Sequence, residues 1–246
     1  MPDLSEQKRT ISTRNLTFVV AGLVLLGVLS LLVDVEITQR RRTDFLPGDF
    51  RRIIRFSEIF AHGFGVAVTI YLIWALVPEK RKWIPRLAAC AILPGLSVQF
   101  VKLFVARYRP GHFFPEFADK VSDTWIGFMP SSQLNFEYVT QSFPSAHAAT
   151  AVGFATGLVW MLPRGRHLFI GLAFLSSAQR IVAGAHWLSD VFFGAAISVF
   201  ICGLIFRHRR LNQLFSNLEN RQQSTTIEIA NTSQEQEPAK ATSKAA

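Results

Sequence analysis

The sequence predicts an all-α fold, a six-transmembrane-helix bundle with the active site at one membrane face. Three observations predict it. Apolar residues gather into six blocks that meet or approach the roughly 20 residues needed to cross a bilayer. Lys and Arg collect at the ends of those blocks, the pattern that sets membrane topology. The side chains best suited to chemistry also fall at block ends rather than in a separate polar domain.

Composition alone decides less. The chain has 246 residues, half of them hydrophobic, and soluble domains are also about half apolar. Phe is in excess at 22 residues, which suits lipid-facing helices. The net charge is +9 and the pI about 10.2. A basic chain can bind nucleic acid. Because the cations here cluster at block ends, the expectation is no nucleic acid and a lipid bilayer as partner. Cys90 and Cys202 both lie inside apolar blocks with no zinc or disulfide spacing, so they read as small buried hydrophobes.

In order, residues 1–15 form a polar, basic cytoplasmic N-terminus. Block one runs from about Leu16 to Val35 and is too long for a signal-peptide core, with no A-x-A-like site after it. Block two covers about Ile53–Val77 and block three about Leu87–Ala106. Block four covers about Ser145–Leu162, block five about His167–Ala185 and block six about Leu188–Phe206. Together, residues 16–210 form the membrane domain. Residues 211–246 are rich in Gln, Ser, Thr, Glu and Ala, and predict a disordered cytoplasmic tail. The linker 36–52 carries Arg40, Arg41 and Arg42, and the linker 107–144 is long enough to be functional. With the N-terminus inside, 12 cations near helix ends face the cytoplasm and 8 face out. The expected location is therefore a bacterial inner membrane with the active site on the extracytoplasmic side. The Arg-rich first linker runs against that bias.

Three segments carry the chemistry. Lys102 and Arg109 are seven residues apart, which on a helix returns nearly to one face about 10 Å along. Pro110 ends such a helix near Arg109. Alone, Lys102 fits equally well as a snorkelling interfacial cation. Pro144-Ser145-Ala146-His147 opens block four, with Ser145 as N-cap and free N–H groups suited to a phosphate oxygen. Alone, it reads more simply as an ordinary cap with an incidental His. Arg180, His186 and Asp190 span the join of blocks five and six. Asp190, four residues from His186, can accept from one ring nitrogen and leave the other free to attack. A structural Arg180–Asp190 pair is the alternative, although a charge in so apolar a run is a functional candidate. Together, these groups are what transfer of a phosphoryl group from an ester to water requires, and their membrane placement points to a lipid-borne substrate.

The segments read K-x(6)-R-P, P-S-A-H and Q-R-x(5)-H-x(3)-D. They resemble the three-part signature of the type 2 phosphatidic acid phosphatase and haloperoxidase superfamily, in its membrane lipid phosphatase branch. The resemblance covers about residues 102–190, and the six-span pattern extends it to 16–206. It implies His186 as a nucleophile forming phosphohistidine, Asp190 orienting it, and His147 protonating the leaving group. It implies Lys102, Arg109, Ser145 and Arg180 as the groups that bind substrate phosphoryl oxygens. It implies no cofactor and no metal. Two positions depart from the signature: Ala146 stands where Gly is usual, and Gln179 where Ser is usual. The implied activity is removal of phosphate from a lipid phosphate or pyrophosphate. A lipid-to-lipid phosphotransferase, or a non-enzymatic transporter or assembly factor, are the alternatives. Glu58 and His62, four apart in block two, are expected on one helix face, as a bundle hydrogen-bond pair or a substrate contact.

Overall fold

The computed structural model describes residues 13–42, 47–113, 120–128 and 136–221. The expectations for residues 1–12, for the Arg41 and Arg42 side chains, for parts of the long linker and for 222–246 lie outside the described residues.

Eight helices follow in order: α1 Thr13–Ser30, α2 Asp34–Arg42, α3 Gly48–Phe56, α4 Gly63–Leu76, α5 Ile84–Lys102, α6 Ala146–Met161, α7 Arg166–Val182 and α8 Leu188–Arg207. A further helix, α9, covers 209–221. The fold departs from all-α in one small element. Strands β1, Val105–Arg107, and β2, Trp125–Phe128, pair antiparallel with Ala106 opposite Gly127. This strand is why α5 stops at Lys102 and does not run on to Arg109. Val105 is β-branched, and the segment gains ladder hydrogen bonds from β2 instead of another helical turn.

Among the described residues, length and composition give two helices able to cross a membrane, Pro78–Lys102 and Leu188–Arg207, or up to four if each of two bent pairs is one span. Six spans are therefore not reached by that measure. The first bent pair turns by 67° between Ser30 and Asp34, and the second by 65° between Phe60 and Gly63. Blocks one and two are thus not single rods. α6 is shorter, at 16 residues, and α7 has 17.

α6 is the central helix and packs on α5, α7 and α8. Its sequence is small-residue rich, with Ala149, Gly153 and Gly157 at four-residue spacing. In lipid, helices associate through close backbone approach rather than a hydrophobic drive, and small residues permit it. Gly153 lies so near the Cys90 carbonyl of α5 that a Cβ there would clash with backbone. Cys90 and Cys202 are buried in the packing of α5 against α8. The outer perimeter is apolar, with Phe18, Leu25, Tyr71, Leu96, Phe100, Leu168 and Phe174 all exposed. Such an exposed surface is what a bilayer covers in an integral membrane protein.

The tail expected to be disordered from 211 instead begins in α9. Arg86, 3% exposed, explains this. It bonds Asn212 at 2.8 Å and Glu219 at 2.6 Å, and its guanidinium lies over the rings of Trp160, Phe206 and Phe215. Polar composition gave no sign of this docking, because a single buried cation supplies the anchor.

At the opposite end, a second buried cation ties three distant segments together. Arg107 is fully buried, with Nη1 at 2.5 Å from Asp190 and 2.8 Å from the Ser189 hydroxyl, and Nη2 at 2.7 Å from Asp34. Asp34 also accepts from the Ser189 N–H at 3.1 Å, so α2, β1 and the start of α8 meet on one group. Trp125 and Trp187 flank the guanidinium at 4.5 and 5.0 Å from their ring centroids. Removing one partner of a buried ionic group leaves uncompensated charge, at about 3–5 kcal/mol. Arg107→Ala should cost that much in unfolding experiments in detergent. Arg40→Ala, whose ion pair with Glu36 is exposed, should cost about 1 kcal/mol or less. Equal losses in the two variants would show that the Arg107 network does not hold the fold.

Candidate active site

The C-termini of α5 and α7 and the N-termini of α6 and α8 lie at one end of the bundle, because these four helices alternate in direction. Each chemical segment is positioned by a specific local structure there.

The Arg180–His186 spacing comes from the way α7 ends. Gly184 has φ of 69° and donates to Ile181 at 2.9 Å, while Ala185 N–H reaches back to the Arg180 carbonyl at 3.0 Å. This is a Schellman termination, which needs a left-handed residue and therefore favours glycine. The His186 N–H also reaches the Arg180 carbonyl, at 3.2 Å. The turn thus sets His186 close above the last turn of α7. His186 lies in this turn and not on a helix, and it is 4% exposed.

The geometry of the His186–Asp190 relation differs from a direct contact. His186 Nδ1 lies 2.7 Å from the Ser142 carbonyl, and Asp190 is 3.7 Å away. A carbonyl can only accept, so Nδ1 carries the proton and Nε2 presents its lone pair. Asp190 acts around the ring rather than on it. Its carboxylate takes the Ser142 hydroxyl at 2.5 Å and the Trp187 N–H at 2.9 Å, besides Arg107. It therefore fixes both the residue that receives the His186 proton and the residue next to His186. Burial pushes the His186 imidazole's pKa down to about 4, with Lys102 and Arg109 adding to this and Asp190 opposing it.

Ser145 caps α6, its hydroxyl accepting the Ala148 N–H at 3.3 Å, and its own N–H donates to the Asp190 carbonyl at 3.0 Å. α8 comes so close that a Cβ at Gly194 would overlap the Ser145 carbonyl, so only glycine fits there. Ala146 and His147 form the first turn of α6. Ala146 is helical, so this position asks for no left-handed angle and tolerates Ala in place of Gly.

Arg109 is extended and 6% exposed, not on the α5 face with Lys102. Its guanidinium donates to the carbonyls of Tyr138 at 2.8 Å, Ala185 at 3.0 Å and Gln141 at 3.1 Å. It lies over the Tyr138 ring at 4.0 Å and clamps the linker onto the His186 turn. Burial pushes its pKa down, with Arg180 acting in the same direction. Lys102 is 3% exposed at the end of α5, within electrostatic reach of Arg109, Arg180 and Asp190.

Arg180 does not pair with Asp190. Its Nη1 meets Glu58 at 2.6 Å. Glu58 sits on the 3-10 turn Ser57–Phe60, just before the bend that separates α3 from α4. The bend also removes Glu58 and His62 from a common helix face: His62 caps α4, its ring nitrogen accepting the Phe64 N–H at 3.3 Å. Among the described residues, Arg180 Nε, His147 Nε2, Ser176 Oγ and Gln179 Oε1 are buried without a hydrogen-bond partner. All seven residues singled out from the sequence therefore gather in one place. Sequence reading missed Arg107, Asp34 and Ser142. Asp34 offered a faint signal, as an acid at the end of a long apolar block. Among the described residues no group of three or more His, Cys, Asp and Glu is gathered that could hold a metal ion.

Comparison with known proteins agrees with this geometry. The chain is 28% identical over 126 residues to a lipid A 1-phosphatase of Rhizobium johnstonii, covering 47% of this chain and 48% of that one. It is 27% identical over 132 residues to a decaprenylphosphoryl-5-phosphoribose phosphatase of Mycobacterium tuberculosis, covering 53% and 63%. The chain thus spans about half to two thirds of the length of these curated relatives. The crystal structure of Aquifex aeolicus LpxE shares its fold, with a TM-score of 0.50 and 22% identity over 70% of this chain and 93% of that one. The PAP2 superfamily model matches residues 83–213, a stretch of more than half the sequence that contains all three chemical segments, and the chain belongs to that superfamily.

Proposed function

We propose that the chain is a lipid phosphatase that removes phosphate from a lipid phosphate or lipid pyrophosphate through a phosphohistidine intermediate, without a metal. The observation that carries this reading is the cluster of three cations gathered with His186 at one end of the bundle. Lys102, Arg109 and Arg180 are held near one another, so their charges repel. A phosphoryl group placed among them relieves that repulsion, and the unpartnered Arg180 Nε is ready to receive it. Two relatives named as phosphatases of lipid-linked substrates support the same chemistry.

In this reading, His186 Nε2 attacks phosphorus while the ester P–O bond breaks. Protonated His147 gives its Nε2 proton to the departing oxygen. Water then attacks the phosphohistidine, neutral His147 takes its proton, and the P–N bond breaks to release phosphate. Lys102, Arg109 and Arg180 stabilise the charge on the transferring group, and the Ser145 cap holds the α6 N-terminus toward it. Ser189 and Asp34 support from behind through Arg107.

His186→Ala should abolish phosphate release from a lipid phosphate while leaving the protein folded. His147→Ala should slow release by about 10²–10⁴-fold, the usual contribution of a general acid. Because burial holds the His186 pKa near 4, the nucleophile stays neutral at lower pH than a free histidine. The acid limb of kcat/KM assigned to it should therefore lie near pH 4 rather than near 6.5. Normal turnover by the His186 variant rules the mechanism out.

Activity should survive excess EDTA and fall with vanadate, which adopts the five-coordinate geometry of the transferring phosphorus. Complete loss in EDTA with rescue by Mg²⁺ argues against cations alone doing this work.

We also infer six crossings, by α1, α4, α5, α6, α7 and α8, with the site at the extracytoplasmic face of a cytoplasmic membrane. The basic bias of the opposite end, with Lys80, Arg81, Lys82, Arg164 and Arg166, supports that orientation. A cysteine at exposed Ser122 should react with a membrane-impermeant reagent in intact cells, and one at Glu79 should not. Native Cys90 and Cys202 are buried and give no background. The reverse labelling places the site at the cytoplasmic leaflet.

A further inference from the structure

Glu58 lies outside all three signature segments, yet among the described residues it is the carboxylate paired with Arg180. Its Oε1 meets Arg180 Nη1 at 2.6 Å and stands 3.8 Å from His147 Nε2. Its Oε2 accepts from Gln179 Nε2 at 2.9 Å. Gln179 stands where the family signature has Ser, and only the longer side chain makes this reach. The side chain of Glu58 is 39% exposed and that of His147 is 26% exposed, so neither is sealed in the bundle as the Arg107 network is.

The charged and titratable groups around the His147 ring are Arg180 on α7, Lys102 on α5, Glu58 on the 3-10 turn and His62 at the bend. Burial is the strongest influence against a positive charge on His147, and Arg180, His62 and Lys102 add to it. Glu58 is the only anion in that set. A general acid must carry its proton when substrate arrives, and two neighbouring cations work against that.

We propose that Glu58 is a positioning residue that favours the protonated form of His147 for leaving-group departure, against the burial and the cations around it, and that Gln179 holds Glu58 in place for that purpose. The 3.8 Å separation matters. It is close enough for strong attraction but beyond hydrogen-bond distance, so the Nε2 proton is not tied to Glu58. His147 Nε2 accordingly has no partner, and its proton remains available to the ester oxygen. As the His186 Nε2–P bond forms and the P–O bond breaks, the proton moves from His147 to the departing alcohol. Glu58 stays a carboxylate throughout. When water attacks the phosphohistidine, its proton returns to His147 and Glu58 stabilises the imidazolium again.

This rests on the phosphatase reading, and the test separates the two. Two substrates are compared in detergent: a long-chain alkyl phosphate, whose alkoxide must be protonated to leave, and a nitrophenyl phosphate with an alkyl chain on the ring, whose phenolate leaves unassisted. Glu58→Gln keeps a hydrogen-bond acceptor for Arg180 and loses only charge. It should lower kcat on the alkyl phosphate about 10–100-fold with little change in KM, and stay within about threefold of wild type on the nitrophenyl substrate. The alkaline limb of its pH profile should move to lower pH by about 1–3 units, the scale set by an opposite charge at this distance. Gln179→Ser should show the same pattern more weakly. Equal loss on both substrates makes Glu58 a mere support for Arg180 and overturns the proposal. So does a Glu58→Gln variant with wild-type rates and pH profile. Loss of both substrates in His186→Ala marks the phosphohistidine route as intact. Failure of the wild type to hydrolyse either overturns the phosphatase reading itself.

Discussion

A buried guanidinium cannot be left without counter-charge, and the membrane face of this protein is organised around that requirement. Arg107 is fully enclosed between Asp34 and Asp190, with Ser189 and two tryptophan rings completing its shell. Taking three charges out of water is unfavourable unless each finds well-placed partners. Here the partners come from segments far apart in sequence, so meeting the demand brings the start of α2, the linker strand and the start of α8 together. Asp190 then has two oxygens committed to Arg107, Ser142 and Trp187. Ser142 is in turn committed to His186 through its carbonyl. The orientation of the imidazole is thereby set by a chain of buried bonds that begins at Arg107.

The site was largely legible in the sequence, and the scaffold less so. Lys102, Arg109, Ser145, His147, Arg180, His186 and Asp190 were identifiable because charged and capping residues at the ends of apolar blocks are costly without a purpose. Their spacing also reflects local geometry, such as the Gly184 termination that brings His186 over Arg180. What could not be read were relations that depend on tertiary partners. Arg107 looked like one more cation in a basic linker, since nothing local marks its burial. The contact between Glu58 and Arg180 joins residues 122 positions apart. The α5 helix was expected to reach Arg109, and it stops at Lys102 because β2 offers a pairing partner that lies far along the chain. The bends after Ser30 and after Phe60 were hidden for a similar reason. Apolar composition continues through them, while the backbone turns to bring Asp34 and Glu58 to the site.

The same logic explains why Asp190 is not in direct contact with the ring it serves. A carboxylate bonded to Nδ1 would draw His186 toward the imidazolium form. A carbonyl acceptor fixes the same tautomer while adding no full charge beside the ring. With Asp190 3.7 Å away and already matched by Arg107, the imidazole stays neutral, as the proposed role of nucleophile requires.

The front and the back of the site are therefore built on opposite principles. At the back, Arg107, Asp34 and Asp190 are sealed and mutually matched, and nothing there is left for a ligand to bind. At the front, Lys102, Arg109 and Arg180 lie within electrostatic reach of one another, Arg180 pairs with Glu58, and Arg180 Nε and His147 Nε2 have no partner. A matched back gives rigidity, because moving any one of its groups breaks buried bonds made by the others. An unmatched front stores positive potential where an anionic group must be held during reaction. Because the two regions share Asp190 and the His186 turn, rigidity at the back is transmitted to the front, and the field there is fixed before any substrate arrives. Electrostatic preorganisation of this kind avoids reorganising dipoles at the moment of reaction.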